Sequence, residues 1–280
     1  MKLIFLHIPK AGGTTLESIL LDRQSAGQAL RLGKAVPPDE FRRWPQERRN
    51  GISLLMGHIP FGMHRLLGSD DVRYLTIFRD PVERAISHYY YIKRHPTHWL
   101  HDELRRRSLS LRDFALSDLT SQLDNGQVRL LAGCEDTGIP TSDDMVEKAI
   151  DNIQKWFVGF GSLERFDESL LLLKHVLCWN DLPVYLLRNV GHDKKAVSQE
   201  DRQAIRERNH YDFALYQWAQ DEFSRRIGEI DGFAAELRTF EAANKAYALG
   251  YESGRREGLA LATARSPTRR IRRKLKSIFS

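Results

Sequence analysis

The sequence predicts an α/β fold in which a central, mainly parallel sheet lies between layers of helices. Two observations favour it. Short apolar runs of strand length recur along the 280 residues, and segments with apolar residues at helical spacing lie between most of them. Parallel neighbours need such long crossover connections, and helices on both faces bury the sheet. A chain of this length can bury a large core.

The predicted strands are short and end at residues that break or turn the chain. Pro9 follows the first apolar run, Gly57 the second and Pro81 the third. The five predicted strands cover residues 3–8, 52–56, 72–78, 157–160 and 184–187.

The predicted helices follow from apolar stripes at a spacing of three or four residues. Leu16, Ile19 and Leu20 form the first stripe, and Pro81 suits the first turn of the second helix, where a missing N–H costs nothing. Residues 96–150 are polar and are expected to be mostly helical or irregular. In all, the predicted helices of the main domain outside residues 96–150 cover residues 14–23, 81–90, 166–177, 198–208 and 212–228.

The chain divides into three predicted parts. Residues 1–232 form the main domain, residues 233–264 form a helical extension rich in Ala, Glu and Arg, and residues 265–280 form a tail. In the tail, apolar residues fall on one helical face and basic residues occupy the rest. This pattern is typical of an amphipathic helix that lies on an anionic membrane surface, and a disordered, solvated tail is equally consistent with it.

The net charge of +6 comes from the tail. The chain has 43 Lys and Arg against 37 Asp and Glu, and seven of the basic residues lie in residues 265–280, which contain no acid. Without the tail the balance is 36 against 37. The main domain is therefore not basic overall, and we expect no nucleic-acid partner.

Two features predict a cytoplasmic protein, and the basic tail is the reason to consider a peripheral position at the inner face of a membrane. The first apolar run is too short for a signal peptide, and no stretch of about 18 apolar residues follows it. The chain has only two cysteines, Cys134 and Cys178. Two cysteines do not make a disulfide framework and suit a reducing compartment.

The first predicted strand is followed by a loop that suits an anion. It reads His-Ile-Pro-Lys-Ala-Gly-Gly-Thr-Thr over residues 7–15. Glycines and the N–H groups of a helix start let a phosphate approach closely, and Lys10 adds a positive charge. The loop differs from a Walker A loop because Lys10 precedes the glycines. A structural turn with Thr14 as helix cap is the alternative.

A second junction, residues 74–91, also suits an anion. The third strand delivers Arg79 to the carboxyl edge of the sheet, where open α/β folds bind ligands. Ser87 lies two turns into the next helix on a face that can look back towards Arg79, so the pair can hold a phosphate. A local salt bridge between Arg79 and Asp80 is the alternative.

Together these two segments resemble the sulfotransferases that use 3′-phosphoadenosine 5′-phosphosulfate (PAPS). The phrasing is most similar to the branch containing heparan sulfate 2-O-sulfotransferase and its bacterial relatives, as is the block Met-Gly-His-Ile-Pro-Phe-Gly at residues 56–62. The resemblance covers roughly residues 1–95 and 157–228. It implies a P-loop-like three-layer fold and transfer of a sulfuryl group from PAPS to a hydroxyl, with no metal required.

The resemblance also implies roles for individual residues. Lys10 stabilises charge on the leaving oxygen, and His58 is the base that takes the proton of the acceptor hydroxyl, with His88 as the second candidate. Arg79 and Ser87 hold the 3′-phosphate. The residues of the first loop that hold the 5′-phosphosulfate are Lys10, Ala11, Gly12, Gly13, Thr14 and Thr15. The loop after the last strand supplies candidates for contacts with phosphate or adenine, namely Arg188, Lys194 and Lys195.

The acceptor implied by the resemblance is a carbohydrate, either a glycan or a glycolipid. Residues 96–150 match no motif, and we expect acceptor choice to lie there. Trp44, Trp99 and Tyr89 to Tyr91 offer stacking faces for a sugar, although aromatic residues on helices more often belong to the core. An oligomer is possible.

Two other classes of protein share parts of this pattern. A P-loop kinase or other nucleotide phosphotransferase would have a similar sheet and first loop, but it would need a Walker lysine and a magnesium-binding acid. A non-enzymatic protein that binds an anionic surface would use the basic tail. Deletion of the tail separates the second class from an enzyme, which keeps its core activity.

Overall fold

A computed structural model describes residues 1–25, 27–33, 35–134, 136–186 and 196–264, with side chains described up to residue 255. Its centre is a sheet of five strands in the order β2-β3-β1-β4-β5, and every neighbouring pair is parallel. This confirms the predicted α/β fold. The strands are β1 Lys2–Leu6, β2 Ala29–Arg31, β3 Leu54–Gly57, β4 Val72–Phe78 and β5 Phe157–Ser162.

Helices cover the sheet, and most crossovers contain at least one. They are α1 Gly13–Leu21, α2 Pro38–Arg43, α3 Gln46–Asn50, α4 Pro81–Arg94, α5 His101–Arg106, α6 Leu111–Ala115, α7 Gly126–Ala132, α8 Asp143–Trp156, α9 Phe166–Val176, α10 Gln199–Arg208, α11 His210–Gly228 and α12 Phe233–Ala264. The first part of α12 packs on the main domain, since Phe233 and Phe240 are buried in its core. The proposed division at residue 232 stays a prediction.

Two strand predictions need correction. Residues 184–186, predicted as part of a last strand, belong to no strand; the Tyr185 N–H donates to Asn244 Oδ1 at 2.7 Å, and its hydroxyl donates to Asp167 at 2.7 Å. Leu187 lies outside the described residues. Conversely, β2 was not predicted, because a three-residue edge strand with half-buried side chains leaves no alternation in the sequence.

The core lies on both faces of the sheet. Ile4, Phe5 and Leu6 of the central strand β1 are fully buried, as expected for a parallel strand covered on both sides. A second cluster of buried side chains joins α4 to α6 and α10, centred on Ile86 and Phe114. This cluster holds α4, which follows the predicted Arg79 site, against the segment that the sequence left largely unassigned.

A buried ion pair fixes α4 to α11. The side chains of Arg84 and Asp212 are 1% and 0% exposed, and their charged atoms lie 3.2 Å apart. Asp212 also accepts hydrogen bonds from the backbone N–H groups of Gln127 and Val128. The Gln127 side chain then accepts from the Arg79 N–H at 3.2 Å and donates to the Arg79 carbonyl at 2.9 Å. The network therefore positions Arg79, the residue that directly follows β4.

Replacing Asp212 by alanine is expected to lower the free energy of unfolding by about 3–5 kcal/mol, because it leaves the Arg84 charge buried without its partner. Urea denaturation measures the loss. The matched control is Asp39→Ala, which removes an exposed partner of Arg42 and should cost less than about 1 kcal/mol. A cost below about 1 kcal/mol for the Asp212 variant would contradict the assigned role of the pair.

Candidate active site

The candidate site lies at the carboxyl ends of three adjacent strands. Because β3, β1 and β4 are neighbours and parallel, the residues that follow them meet at one edge of the sheet. His58 follows β3, Lys10 lies in the loop after β1, and Arg79 directly follows β4. The topology thus brings together residues that are up to 69 positions apart in sequence.

The first loop needs both of its glycines. Gly12 has a φ of 78° and caps α1, and a Cβ there would lie 2.5 Å from a methyl group of Leu163. A Cβ on Gly13 would lie 2.2 Å from the ring of His7. The helix begins at Gly13, so Thr14 lies inside its first turn, and the alternative in which Thr14 is the cap is wrong. The N–H groups at the start of α1 are thereby presented to the loop.

Lys10 is a cation with no anionic partner in the described part of the chain. It has a φ of 68°, and its Nζ lies 3.8 Å from the centre of the Tyr91 ring. Burial, together with the charges of Arg79 and Arg94, lowers the pKa of Lys10 to about 8. Among the described residues, no carboxylate lies within 4.0 Å of its ammonium group. The site therefore favours an anion at this position.

Arg79 likewise forms no ion pair with any described carboxylate. Its Nη1 donates to the Lys10 carbonyl at 2.7 Å, and its Nε is buried with no hydrogen-bond partner in the described part of the chain. Burial lowers the pKa of Arg79, partly offset by the charges of Glu164 and Glu83. The alternative salt bridge with Asp80 does not form between these two described residues; Asp80 instead caps α4 by accepting from the Glu83 N–H. A buried, unpaired guanidinium N–H suits a phosphate oxygen.

His58 has a fixed tautomer. Its Nδ1 lies 2.7 Å from the His7 carbonyl, which can only accept, so Nδ1 carries the proton and Nε2 is free to take one. One side of His58 is exposed to solvent, while its Nδ1 is turned to the part-buried hydrogen bond and its ring lies 4.4 Å from that of His7. Shielding by the surrounding protein, together with His7, lowers the pKa of His58 to about 4. The ring is therefore neutral at pH 7, as a general base must be.

A buried carboxylate, that of Glu17, holds the ring of His7 by a hydrogen bond. Glu17 is 3% exposed and accepts from His7 Nδ1 at 2.9 Å, while Arg31 lies 3.0 Å from its other oxygen. Burial alone would raise the pKa of Glu17, but the hydrogen bond and charge of His7, with the charge of Arg31, lower it. The sequence analysis did not single out Glu17 or Arg31. The missed signal is an acid on the apolar, core-facing side of α1.

Two predicted site residues, Ser87 and His88, lie on α4, and the structure supports a place in the site for each to a different degree. Ser87 is half-buried and forms no hydrogen bond with Arg79, although both residues are described, so its phosphate contact stays a prediction. His88 is 6% exposed, and its Nδ1 has no partner within the described part of the chain. Burial, with smaller effects of Arg84, His98, Lys10 and His58, lowers the pKa of His88 to about 3. His88 therefore borders the same cleft as Lys10 and His58.

The profile of the galactose-3-O-sulfotransferase family matches residues 1–249 of the chain. The chain belongs to this family. The match includes the sheet, the first loop, α4 and the helices up to the start of α12, so the whole candidate site lies inside it. The sulfotransferase family predicted from the two loops is thus confirmed. Placement near the 2-O branch stays a prediction, since the profile is named for the 3-O position of galactose.

Two further comparisons give individual proteins to which the chain is similar. Heparan-sulfate 6-O-sulfotransferase 2 of Danio rerio is 26% identical over 276 residues, which cover 80% of this chain and 58% of the relative. The family member described here therefore spans less than two thirds of that relative's length. A crystal structure of mouse sulfotransferase SULT7A1 complexed with PAP matches 85% of this chain and 88% of that chain, with 13% identity and a TM-score of 0.37.

The remaining sequence predictions concern residues outside the described ranges, membrane-spanning helices and metal binding. Arg188, Lys194, Lys195 and the tail 265–280 lie outside the described residues. No helix within the described ranges is long and apolar enough to cross a membrane. No group of three or more His, Cys, Asp or Glu side chains in those ranges is arranged to hold a metal ion.

A cavity of about 350 Å³ lies beside the first turn of α4 and was not predicted. Two arginines of α10 line it: Arg202 pairs with Glu83 at 2.9 Å, and Arg206 stacks on Phe213. Asp80, the neighbour of Arg79, also lines it. Sequence patterns could not reveal the cavity, because its walls come from elements more than 100 residues apart.

Proposed function

We propose that this chain transfers the sulfuryl group of PAPS to a hydroxyl group of a carbohydrate or glycoconjugate. One observation carries the proposal: Lys10 and Arg79, two shielded cations with no carboxylate within 4.0 Å among the described residues, flank a glycine loop beside a histidine whose Nε2 is unprotonated. Such a site is suited to an anionic donor and to removal of a proton. The family of the chain supports the same reaction.

The residues present fit a nucleotide with phosphates at both ends. The N–H groups of residues 12–15 and the Lys10 ammonium would hold the 5′-phosphosulfate, since the loop leads into the start of α1 and its two glycines let the backbone pack closely against Leu163 and His7. The unpaired Nε of Arg79 would bind the 3′-phosphate, with Ser87 as a second donor. PAPS supplies the activated sulfuryl group, and the chain supplies position and charge.

Two residues act in the transfer itself. His58 Nε2 takes the proton of the acceptor hydroxyl while the new oxygen–sulfur bond forms and the bond from sulfur to the phosphate oxygen breaks. Lys10 stabilises the negative charge that develops on that leaving oxygen. The hydrogen bond from His58 Nδ1 to the His7 carbonyl keeps the ring in the tautomer that this step requires.

Two measurements test the proposal together. Calorimetry of the purified chain with 3′-phosphoadenosine 5′-phosphate (PAP) measures donor-site binding. Transfer of labelled sulfate from PAPS to a panel of glycans, glycolipids and small phenols measures the reaction. We expect PAP binding and transfer to a glycan. If the intact chain does not bind PAP, the proposed function is wrong, and transfer only to phenols would reject the carbohydrate acceptor.

The donor site should work without a metal ion, because Lys10 and Arg79 supply the positive charge that Mg²⁺ supplies in P-loop phosphotransferases. Excess EDTA is therefore expected to leave the rate of sulfate transfer unchanged. Consumption of ATP that depends on Mg²⁺, with no transfer from PAPS, would instead identify a nucleotide phosphotransferase.

Binding of PAP should weaken as the pH rises above about 8. The pKa of Lys10 is about 8 in the free chain, so its positive charge is present below this pH and is lost above it. Loss of one required proton raises the Kd by up to about tenfold per pH unit. Calorimetry from pH 7 to 9.5 measures the change. Lys10→Arg stays protonated throughout and should abolish this dependence; a flat wild-type profile would refute it.

A further inference from the structure

A row of rings leads from Lys10 to the protein surface. Tyr91, whose ring lies under the Lys10 ammonium, contacts the ring of His98 with centres 5.8 Å apart. His98 in turn stacks on Trp99 with centres 6.0 Å apart and planes at 24°. Trp99 is 71% exposed, the highest value among the large apolar side chains described. We call Tyr91, His98 and Trp99 the ring strip.

The turn that carries the strip is held in place. The His98 N–H donates to the His95 carbonyl at 2.9 Å, and the Leu100 N–H donates to His98 Nδ1 at 3.2 Å. Leu100 is buried, and His101 Nδ1 lies 2.9 Å from the Ile92 carbonyl of α4. Trp99 is therefore exposed on a braced turn, which reduces the entropy lost when a ligand binds.

The chemistry of the strip suits a sugar. A pyranose has an apolar C–H face that covers an aromatic ring and hydroxyl groups that need hydrogen-bond partners. Trp99 offers the exposed face, and His98 keeps a ring N–H to donate because its Nδ1 accepts from Leu100. At the inner end, His88 lies 6.0 Å from His98 with a buried Nδ1 that lacks a partner in the described part of the chain. Such an atom suits a ligand hydroxyl.

We propose that the ring strip, with His88 at its inner end, is the acceptor site and that Trp99 binds the saccharide by stacking. This rests on the proposed function for the reaction, but binding of a saccharide can be measured without it. The strip begins at Lys10, so it is continuous with the site of transfer. A second copy of this chain covering Trp99 is the other possible occupant, and the test below distinguishes the two.

The test compares Trp99→Ala and Trp99→Phe with wild type and with Tyr251→Ala. Tyr251 is a comparably exposed aromatic residue, 52% exposed on α12, and serves as the matched control. Titration with lactose and with a desulfated heparin octasaccharide, in the presence of PAP, gives the saccharide Kd. We expect Trp99→Ala to weaken binding at least tenfold, Trp99→Phe to stay within threefold of wild type, and Tyr251→Ala to match wild type. The Kd for PAP should be unchanged in all four proteins.

Each of the other outcomes argues against either the ring strip as the acceptor site or the proposed function. If wild type binds neither saccharide, or if Trp99→Ala binds as tightly as wild type, the acceptor site is not the ring strip. If Trp99→Ala instead changes the molecular mass measured by light scattering, Trp99 belongs to an interface between copies. If saccharides bind through Trp99 while PAP does not bind, the strip stands and the proposed function fails. If sulfate is transferred with unchanged acceptor KM in Trp99→Ala, the function stands and the strip fails.

Discussion

Replacing Lys10 by alanine should weaken PAP binding and lower kcat for sulfate transfer by about 10²–10³-fold. The ammonium is the charge nearest the glycine loop, and no carboxylate among the described residues competes for it within 4.0 Å. Lys10 has a positive φ, but alanine keeps the same Cβ, so the substitution adds little backbone strain. The measured change then reports the lost charge. Calorimetry with PAP and initial rates of transfer from PAPS give the two values.

The matched control for this variant is Lys93→Ala. Lys93 lies on the same helix as Tyr91 and also sits over a tyrosine, with its Nζ 5.6 Å from the ring of Tyr89, but it is exposed. We expect its removal to leave PAP binding and transfer within twofold of wild type. If Lys10→Ala retains the rate and affinity of this control, Lys10 has no role in the donor site.

Replacing His58 by alanine should lower kcat by about 10²–10⁴-fold while leaving the Kd for PAP within twofold of wild type. The expected split follows from the geometry: His58 is held by the carbonyl of His7, the first residue of the loop, with its Nε2 unprotonated, and it forms no hydrogen bond with residues 10–15, all of which are described. The low pKa also predicts that kcat/KM stays constant from pH 7 down to pH 5.5. With an ordinary histidine as base, the rate would fall in that range as the ring became protonated.

Two variants separate His58 from the other histidines. His95→Ala removes an exposed ring stacked on Tyr91 and should leave kcat unchanged. His88→Asn keeps a polar group at a buried position and should affect acceptor binding more than the proton transfer. Unchanged turnover in His58→Ala, together with a large loss in His88→Asn, would assign the base to His88 instead.

Strong local signals were enough to predict most of the fold. The strand at residues 72–78 was predicted with its observed bounds, because a run of seven residues, five of them apolar, ends sharply at Arg79-Asp80-Pro81. The long helices α4, α9, α10 and α11 were each predicted within a few residues, since their apolar stripes and caps are encoded locally. The weak edge strand β2 and the irregular residues 184–186 were missed, because tertiary contacts rather than local patterns decide them.

The residues of the candidate site also fall into two groups: those that sequence patterns reveal and those that they do not. Lys10, Arg79 and His58 were recognisable because each follows an apolar run that predicts a parallel strand, and such strands end at one edge of the sheet. Glu17 and Gln127 were not recognisable, since their roles depend on side chains that only the folded chain brings near: the ring of His7 and the backbone of Arg79.

The sequence by itself therefore determined the α/β class, the two loops proposed to bind anions and the sulfotransferase family, because these depend on short runs of residues in a fixed order. Only the tertiary structure decided the state of those residues. Lys10 has a lowered pKa and the Nε of Arg79 lacks a partner because folding shields both side chains from water, and the described residues supply neither with a carboxylate within 4.0 Å. His58 has one tautomer because the parallel pairing of β1 with β3 sets the His7 carbonyl beside its ring. The sequence offered Trp99 only as one of five aromatic residues with a stacking face for a sugar, and the folded turn reveals it as the exposed end of a path to Lys10.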